Sequence, residues 1–345
     1  MTHRSARLSV AVIQGGPSTE AEVSRASAQE VAKALVEAGH AVVRLELDPF
    51  LSESLRTGGY DVAFPVAHGA VGEDGSLQGL LEILDLPYVG SGVLASALAM
   101  NKPVARTVFE GAGLPVARGM SFPRGDALAA ADCARRDIGA ALVVKPSSHG
   151  SAIEVTRLAA DAPRGDVARA IEAVWAIDSV ALVEHFARGR EVTCGVYEGE
   201  ASDPLRKRAG ASVSLVALPP TEIMSPNDPF YTYEARYTPG RSEHVCPAHL
   251  PSPLLARVQE VAVAAHCALG CRDLSRVDFI VGDGDDPDAI TLLEVNTLPG
   301  MTSASLYPEA AAAMGLSMAS LCGRFAARAH MRGPTRRVGA RPMPA

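Results

Sequence analysis

Arg276-Val277-Asp278-Phe279-Ile280, followed after an acidic turn by Thr291-Leu292-Leu293-Glu294-Val295-Asn296-Thr297-Leu298-Pro299-Gly300, is the stretch on which the fold reading turns. Side chains alternate between the two faces of a strand, so Arg276 and Asp278 share a face, as do Glu294 and Asn296 on the next strand. Paired as a hairpin, the two strands present Asp278, Glu294 and Asn296 together, all oxygen donors of the kind that hard Mg²⁺ prefers. A sheet face turned to water would also carry polar groups. It leaves unexplained why two acids and an amide interrupt Val, Phe, Ile and Leu in register with an arginine.

Upstream, Val143-Val144-Lys145-Pro146-Ser147-Ser148-His149-Gly150-Ser151 is an apolar strand ending in a lysine, then a small, hydroxyl-rich segment whose amides could fold over phosphates. A strand-end lysine meets polyphosphate as a point charge, although a surface hairpin with a lysine is the commoner object. No G-x-x-x-x-G-K-[ST] is present, so a P-loop is excluded. Gly15-Gly16-Pro17-Ser18-Thr19-Glu20 follows a strand-like run and opens a helix, but it is not the G-x-G-x-x-G of a dinucleotide site.

Alternation of buried-strand and helix signals extends over the first third of the chain. Residues 8–13, 41–47 and 62–66 read as strands and 20–38 and 76–84 as helices, which predicts an open parallel sheet from residues 1–100. A second unit is expected over 101–190 and a third over 191–330, with residues 226–244 as a Gly/Pro/Tyr-rich loop and an Arg- and Pro-rich disordered tail over 331–345. The class expected is therefore α/β, in several packed units, since 345 residues exceed one ordinary core.

A hydrophobic share of 48% and a charged share of 21% are those of a globular protein, and the net charge of -7 argues against general nucleic-acid binding. The first apolar run spans only residues 8–13 and no run approaches the ~18 apolar residues of a membrane span, so neither a secretory signal nor membrane insertion is expected, and a cytoplasmic setting is. The six cysteines are dispersed; Cys267 and Cys271 form a lone CxxxC pair without the second pair that a zinc site needs.

Four segments in this order resemble the signatures of the bacterial D-alanine:D-alanine ligases: 15–24 (GGPSTEAEVS), His68-Gly69 with Gly72-Glu73-Asp74-Gly75, 231–237 (YTYEARY) and 294–305. The resemblance covers about residues 8–322 and implies a three-domain ATP-grasp fold, with nucleotide between the central and C-terminal domains. Carried over residue by residue, it gives Lys102 and Lys145 to the ATP phosphates, Glu184 to the adenine edge and Glu191 to the ribose. Asp278, Glu294 and Asn296 would hold two Mg²⁺ (or Mn²⁺) ions. Glu20 would bind the first D-alanine's ammonium, with Ser151 and Tyr237 in a hydrogen-bonded triad that latches a lid. His68 would orient substrate, Arg276 and the Gly300 amide would stabilise the oxyanion, and Ser305 and Leu306 would hold the second D-alanine.

The chemistry implied is attack of one D-alanine's carboxylate on the γ-phosphate of ATP, then attack of a second D-alanine's amine on the acylphosphate. Two anions must approach, which is why metals and lysines are required, and a closing lid must keep water away. Relatives that join D-alanine to D-serine or D-lactate, and a silent nucleotide-binding protein, are the alternatives; a homodimer is compatible with the family. Singly, Glu20 and Glu22 are also what a helix N-terminus favours, and His68 could cap a strand end. The chain departs from the family pattern at Arg236, where lysine is usual, and at Glu154, where Gly-Ser-Ser-x-Gly usually ends in glycine. Glu154 is expected to point outward, because a carboxylate ~4 Å from phosphate would cost about 4 kcal/mol per unit charge at an effective dielectric near 20.

Overall fold

The computed structural model describes residues 7–199, 214–225, 240–284, 286 and 288–334. Arg236 and Tyr237, with the rest of 226–239, lie outside the described residues, as do 335–345 of the expected tail. Met331 and Arg332, expected in that tail, instead close the last helix, where Arg332 pairs with the buried Asp273 at 2.7 Å.

The elements run β1 (Ser9–Gln14), α1 (Ala21–Glu37), β2 (Ala41–Glu46), α2 (Leu51–Thr57), β3 (Val62–Pro65), α3 (Ser76–Ile83), α4 (Val93–Met100) and α5 (Lys102–Gly111). Then follow β4 (Gly119–Pro123), α6 (Ala127–Asp137), β5 (Leu142–Pro146), β6 (Thr156–Leu158), α7 (Arg164–Ile177), β7 (Val180–His185), β8 (Arg190–Gly199), β9 (Ser214–Ala217), β10 (Thr221–Met224) and β11 (Glu243–Val245). The last are α8 (Ser252–Ala268), β12 (Leu274–Val281), β13 (Ile290–Asn296), α9 (Leu306–Ala313) and α10 (Met318–Arg332).

The expected parallel sheet is present, in the order β2-β1-β3. Val10 to Ile13 of β1 are fully buried, as befits a central parallel strand covered on both faces. At its end Gly15 takes φ +74° with the Glu46 carboxylate packed against its Cα, a turn that a Cβ would obstruct. One of the covering layers is closed from the far end of the chain: α10 buries Leu321, Cys322, Phe325, Ala326 and Ala329 on one helical stripe and packs on α1.

An antiparallel sheet, β4-β7-β5-β6, carries α6 and α7 over its own apolar cluster. A larger sheet, β11-β10-β8-β12-β13 with β9 also on β8, buries Cys194, Val277, Phe279, Val281, Leu292 and Val295 beneath α8, and α4 and α5 join that core. The opposite face of this sheet carries the polar residues Arg276, Asp278, Glu294 and Asn296.

Candidate active site

The hairpin read from sequence forms in the expected register. On antiparallel β12 and β13, Arg276 lies opposite Asn296 and Asp278 opposite Glu294. A β-bulge follows, with Phe279 opposite Leu292, so that Leu293 is the additional residue. The bulge shifts the alternation by one. Thr291 and Leu293 thereby reach the same cavity as Glu294, while Leu292 and Val295 stay in the core. Asp278 is held from two sides: Arg276 donates from Nε to Oδ1 and from Nη2 to Oδ2, both at 2.8 Å, and Thr193 of neighbouring β8 donates to Oδ1 at 2.7 Å. Asn296 Oδ1 accepts from the Leu298 amide at 3.1 Å and so shapes the turn into Gly300.

Lys102 opens α5, whose N-cap Asn101 accepts from the Val104 amide. The Lys102 amide donates to the Ser147 carbonyl at 2.8 Å, and its Nζ lies 2.6 Å from the His149 carbonyl and 3.3 Å from Glu294 Oε2. The lysine thus ties the end of β5 to the acidic hairpin. Lys145 pairs with Glu184 at 2.6 Å across β5 and β7, and Arg106 stands 3.9 Å from the same carboxylate. Glu191 pairs with Arg157 at 2.9 Å, and Arg157 also lies over the Phe186 ring. Lys102, Lys145, Glu184, Phe186, Glu191 and Leu293 all line one cavity of about 120 Å³.

A larger cavity of about 320 Å³ adjoins it and is lined by Glu20, His68, Ser151, Arg276, Asn296, Gly300, Ser305 and Leu306, among others. Lys102, Gly150 and Glu294 line both. Glu20 is the N-cap of α1, yet its side chain makes no capping hydrogen bond; it accepts a short hydrogen bond from Ser151 Oγ. The helix-opening role that its position suggests is therefore not what occupies its carboxylate. Ser18 Oγ donates to the His68 carbonyl at 2.6 Å and accepts from the Glu20 amide at 3.2 Å, fixing these two segments side by side. The Ser305 hydroxyl lies 2.8 Å from that of Thr302 and accepts from the Thr302 amide at 3.0 Å. Glu20 and Ser151 are thus joined by a hydrogen bond, whereas Tyr237 and Arg236 lie outside the described residues.

Two residues beside the site, Asp178 and Glu73, have no task assigned from the sequence. Asp178, just past the end of α7, accepts from the hydroxyls of Ser147 and Ser148 and from the Ser148 amide, each at 3.0 Å. It anchors the hydroxyl-rich segment after β5. Burial alone would raise its carboxyl, but the amides of Val180 and Ser148 and the two serine hydroxyls hold it down at about 2. Glu73 lies in the quoted Gly72-Glu73-Asp74-Gly75 motif without an assigned task; its Oε1 is 3.0 Å from His68 Nδ1, deep in the protein. Burial would pull the His68 imidazole down, yet the hydrogen bond and charge of Glu73, with Glu20 adding, hold it above the usual range.

The donors on the hairpin suit a divalent cation that is also held by phosphates. Among the described residues no three His, Cys, Asp or Glu side chains converge as a closed metal cage. Two carboxylates and an amide oxygen are instead the sparse, hard set that Mg²⁺ uses alongside substrate phosphates. Their present partners, Arg276 on Asp278 and Lys102 on Glu294, are cations. The site accommodates positive charge. Glu154, by contrast, is exposed on the loop after Ser151 and takes φ +52°.

Among the described residues no single helix is long and apolar enough to cross a membrane. The family model for the D-ala D-ala ligase C-terminus matches residues 108–326, and that for the D-ala D-ala ligase N-terminus matches 46–91. The D-alanine–D-alanine ligase of Geotalea uraniireducens (strain Rf4) is 41% identical over 323 residues, spanning 94% of this chain and 96% of the relative. The Bacillus anthracis D-alanine–D-alanine ligase solved in complex with ATP superposes with a TM-score of 0.74 at 28% identity, covering 94% of this chain and 98% of that one. The VanG D-Ala:D-Ser ligase from Enterococcus faecalis gives a TM-score of 0.76, also at 28% identity, covering 93% and 98%. With both family models matched in chain order and such similarity over nearly its full length, the chain belongs to the D-alanine–D-alanine ligase family.

Proposed function

We propose that this protein joins two D-alanines into D-alanyl-D-alanine, converting one ATP to ADP and phosphate, as a cytoplasmic step in peptidoglycan precursor synthesis. The observation that carries this reading is the meeting of two cavities at Lys102, Gly150 and Glu294. A nucleotide in the smaller cavity points its phosphates at the junction, and an amino acid in the larger one reaches the junction with its carboxylate.

In this reading residues 1–100, 101–190 and 191–330 are the three ATP-grasp domains. Glu184 and Glu191 contact the nucleoside, and Lys102 and Lys145 its phosphates. Asp278, Glu294 and Asn296 would hold divalent cations, which when bound neutralise phosphate charge. Glu20, fixed by Ser151, takes the ammonium of the first D-alanine, and His68 orients it. The carboxylate of this D-alanine attacks the γ-phosphate, ADP leaves, and the amine of a second D-alanine, held by Ser305 and Leu306, attacks the acylphosphate carbonyl. Arg276 and the Gly300 amide face the oxyanion that forms, and phosphate departs. Tyr237 and Arg236 belong to the lid of this scheme.

The test is a panel of second substrates offered with D-alanine, ATP and Mg²⁺ to the purified protein. D-alanine should give the highest kcat/KM for product formation, ahead of D-serine and D-lactate. A preference for D-serine or D-lactate replaces the substrate assignment, and ATP binding without turnover on any of them removes the enzyme reading.

A further inference from the structure

Helix α1 carries polar groups on one face at the spacing of an apolar stripe. Glu20 at its N-cap, Ser24 and Ser27 lie at i, i+4 and i+7, and both serines are fully buried. Each has a partner in a different segment. Ser24 Oγ accepts from the Gly15 amide and donates to the Val66 carbonyl, both at 2.8 Å. Ser27 Oγ accepts from the Met301 amide at 3.2 Å, across 274 positions of chain.

The Met301 contact matters because of what precedes it. Peptide units are planar, so the turn 298–301 has few free torsions. Leu298 is tied through its amide to Asn296, Pro299 has its φ set by its ring, and the remaining freedom sits at Gly300, the residue type with the most of it. A Cβ at 300 would lie 2.9 Å from Ser305 Oγ and push that hydroxyl off its Thr302 partner, so glycine fits the turn best and brings its flexibility with it. Binding the Met301 N–H removes that flexibility from the downstream side.

We propose that Ser27 is a positioning residue for the second half-reaction: by holding the Met301 amide it sets the Gly300 N–H toward the oxyanion, in register with the Glu20 end of the same helix. The inference rests on the ligase reading above. Its signature is loss of coupling. If the oxyanion donor is misaligned, amine attack slows while acylphosphate formation continues, and water takes a larger share of the intermediate.

The experiment compares S27A, S27T and S24A with wild type in the full chain, measuring dipeptide formed per ADP, kcat, and KM for ATP and D-alanine. S27A should lower kcat for dipeptide by about tenfold, a fraction of what losing an oxyanion donor outright costs. It should also lower the dipeptide-to-ADP ratio, with KM for ATP unchanged. S27T keeps an acceptor oxygen and should restore the ratio. S24A, equally buried on the same face but tied to the Gly15 and Val66 segments, should change KM for D-alanine and leave the ratio intact. Wild-type coupling in S27A, or an equal fall in coupling in S24A, overturns the role of Ser27. A wild-type protein that makes no dipeptide removes the ligase reading itself, and that outcome is read before any variant is compared.

Discussion

Arg276 and Asp278 form a two-pronged hydrogen-bonded pair on a single strand, Nε to Oδ1 and Nη2 to Oδ2 at 2.8 Å each. One of these residues is proposed to face the oxyanion and the other the divalent cation, so each positions its neighbour. A planar fork is needed for both contacts, and an ammonium cannot reproduce it. Arg276→Lys should therefore lower kcat for dipeptide by about 10²- to 10³-fold, the scale of an oxyanion donor, with a smaller change in KM for ATP. Steady-state kinetics checks this; a lysine variant with near wild-type kcat would show that charge alone suffices.

Asp178 gathers its hydrogen bonds from the segment that would cover the phosphates, and its carboxyl is held at about 2. Because the folded value lies below the unfolded value of about 3.9, the contribution to stability is present above the unfolded pKa and is lost as pH falls through the folded one. Its size is on the order of 2 kcal/mol. Asp178→Asn should be less stable than wild type by about that amount at pH 7, with the gap closing between about pH 4 and pH 2. Urea denaturation across this range tests it, and a gap independent of pH contradicts it.

Glu154 occupies a left-handed backbone conformation, φ +52°, at the position where the family pattern has glycine. Glycine would adopt that conformation without strain, which Ser151 and Ala152 of the same loop, also left-handed, do not, and the Glu154 side chain itself is exposed, as expected from the sequence. Glu154→Gly should raise stability by up to about 1 kcal/mol, the relief of strain being partly offset by glycine's freedom in the unfolded chain. KM for ATP should move less than about fivefold, or roughly 1 kcal/mol. Thermal denaturation and ATP kinetics read the two effects. A gain of about a hundredfold in ATP affinity would place the carboxylate at the phosphates instead.

The residues that could be read in advance are those whose signal is local. Arg276, Asp278, Glu294 and Asn296 announce themselves by interrupting apolar strands with period two, and the Gly15-Gly16 turn by its place between a strand and a helix. The bulge at Leu293 does not, since an added residue leaves the apolar character of 291–293 unchanged and reveals itself only in the pairing. Asp178 and Ser27 are not legible in the sequence, for another reason. Their partners lie 30 and 274 positions away, and an isolated Asp after a helix or Ser within one has ordinary local explanations. Glu73 is intermediate: its motif is visible in the sequence, its pairing with His68 is not.

Attack of the first D-alanine's carboxylate on the γ-phosphate, at the junction of the two cavities, is the step on which the proposed ligation stands. It is tested most directly by giving the protein D-alanine labelled with ¹⁸O in both carboxylate oxygens and analysing the phosphate released during dipeptide synthesis. An acylphosphate route transfers a carboxylate oxygen to phosphorus, so each phosphate should carry one ¹⁸O. Unlabelled phosphate, formed alongside dipeptide, would rule out the acylphosphate.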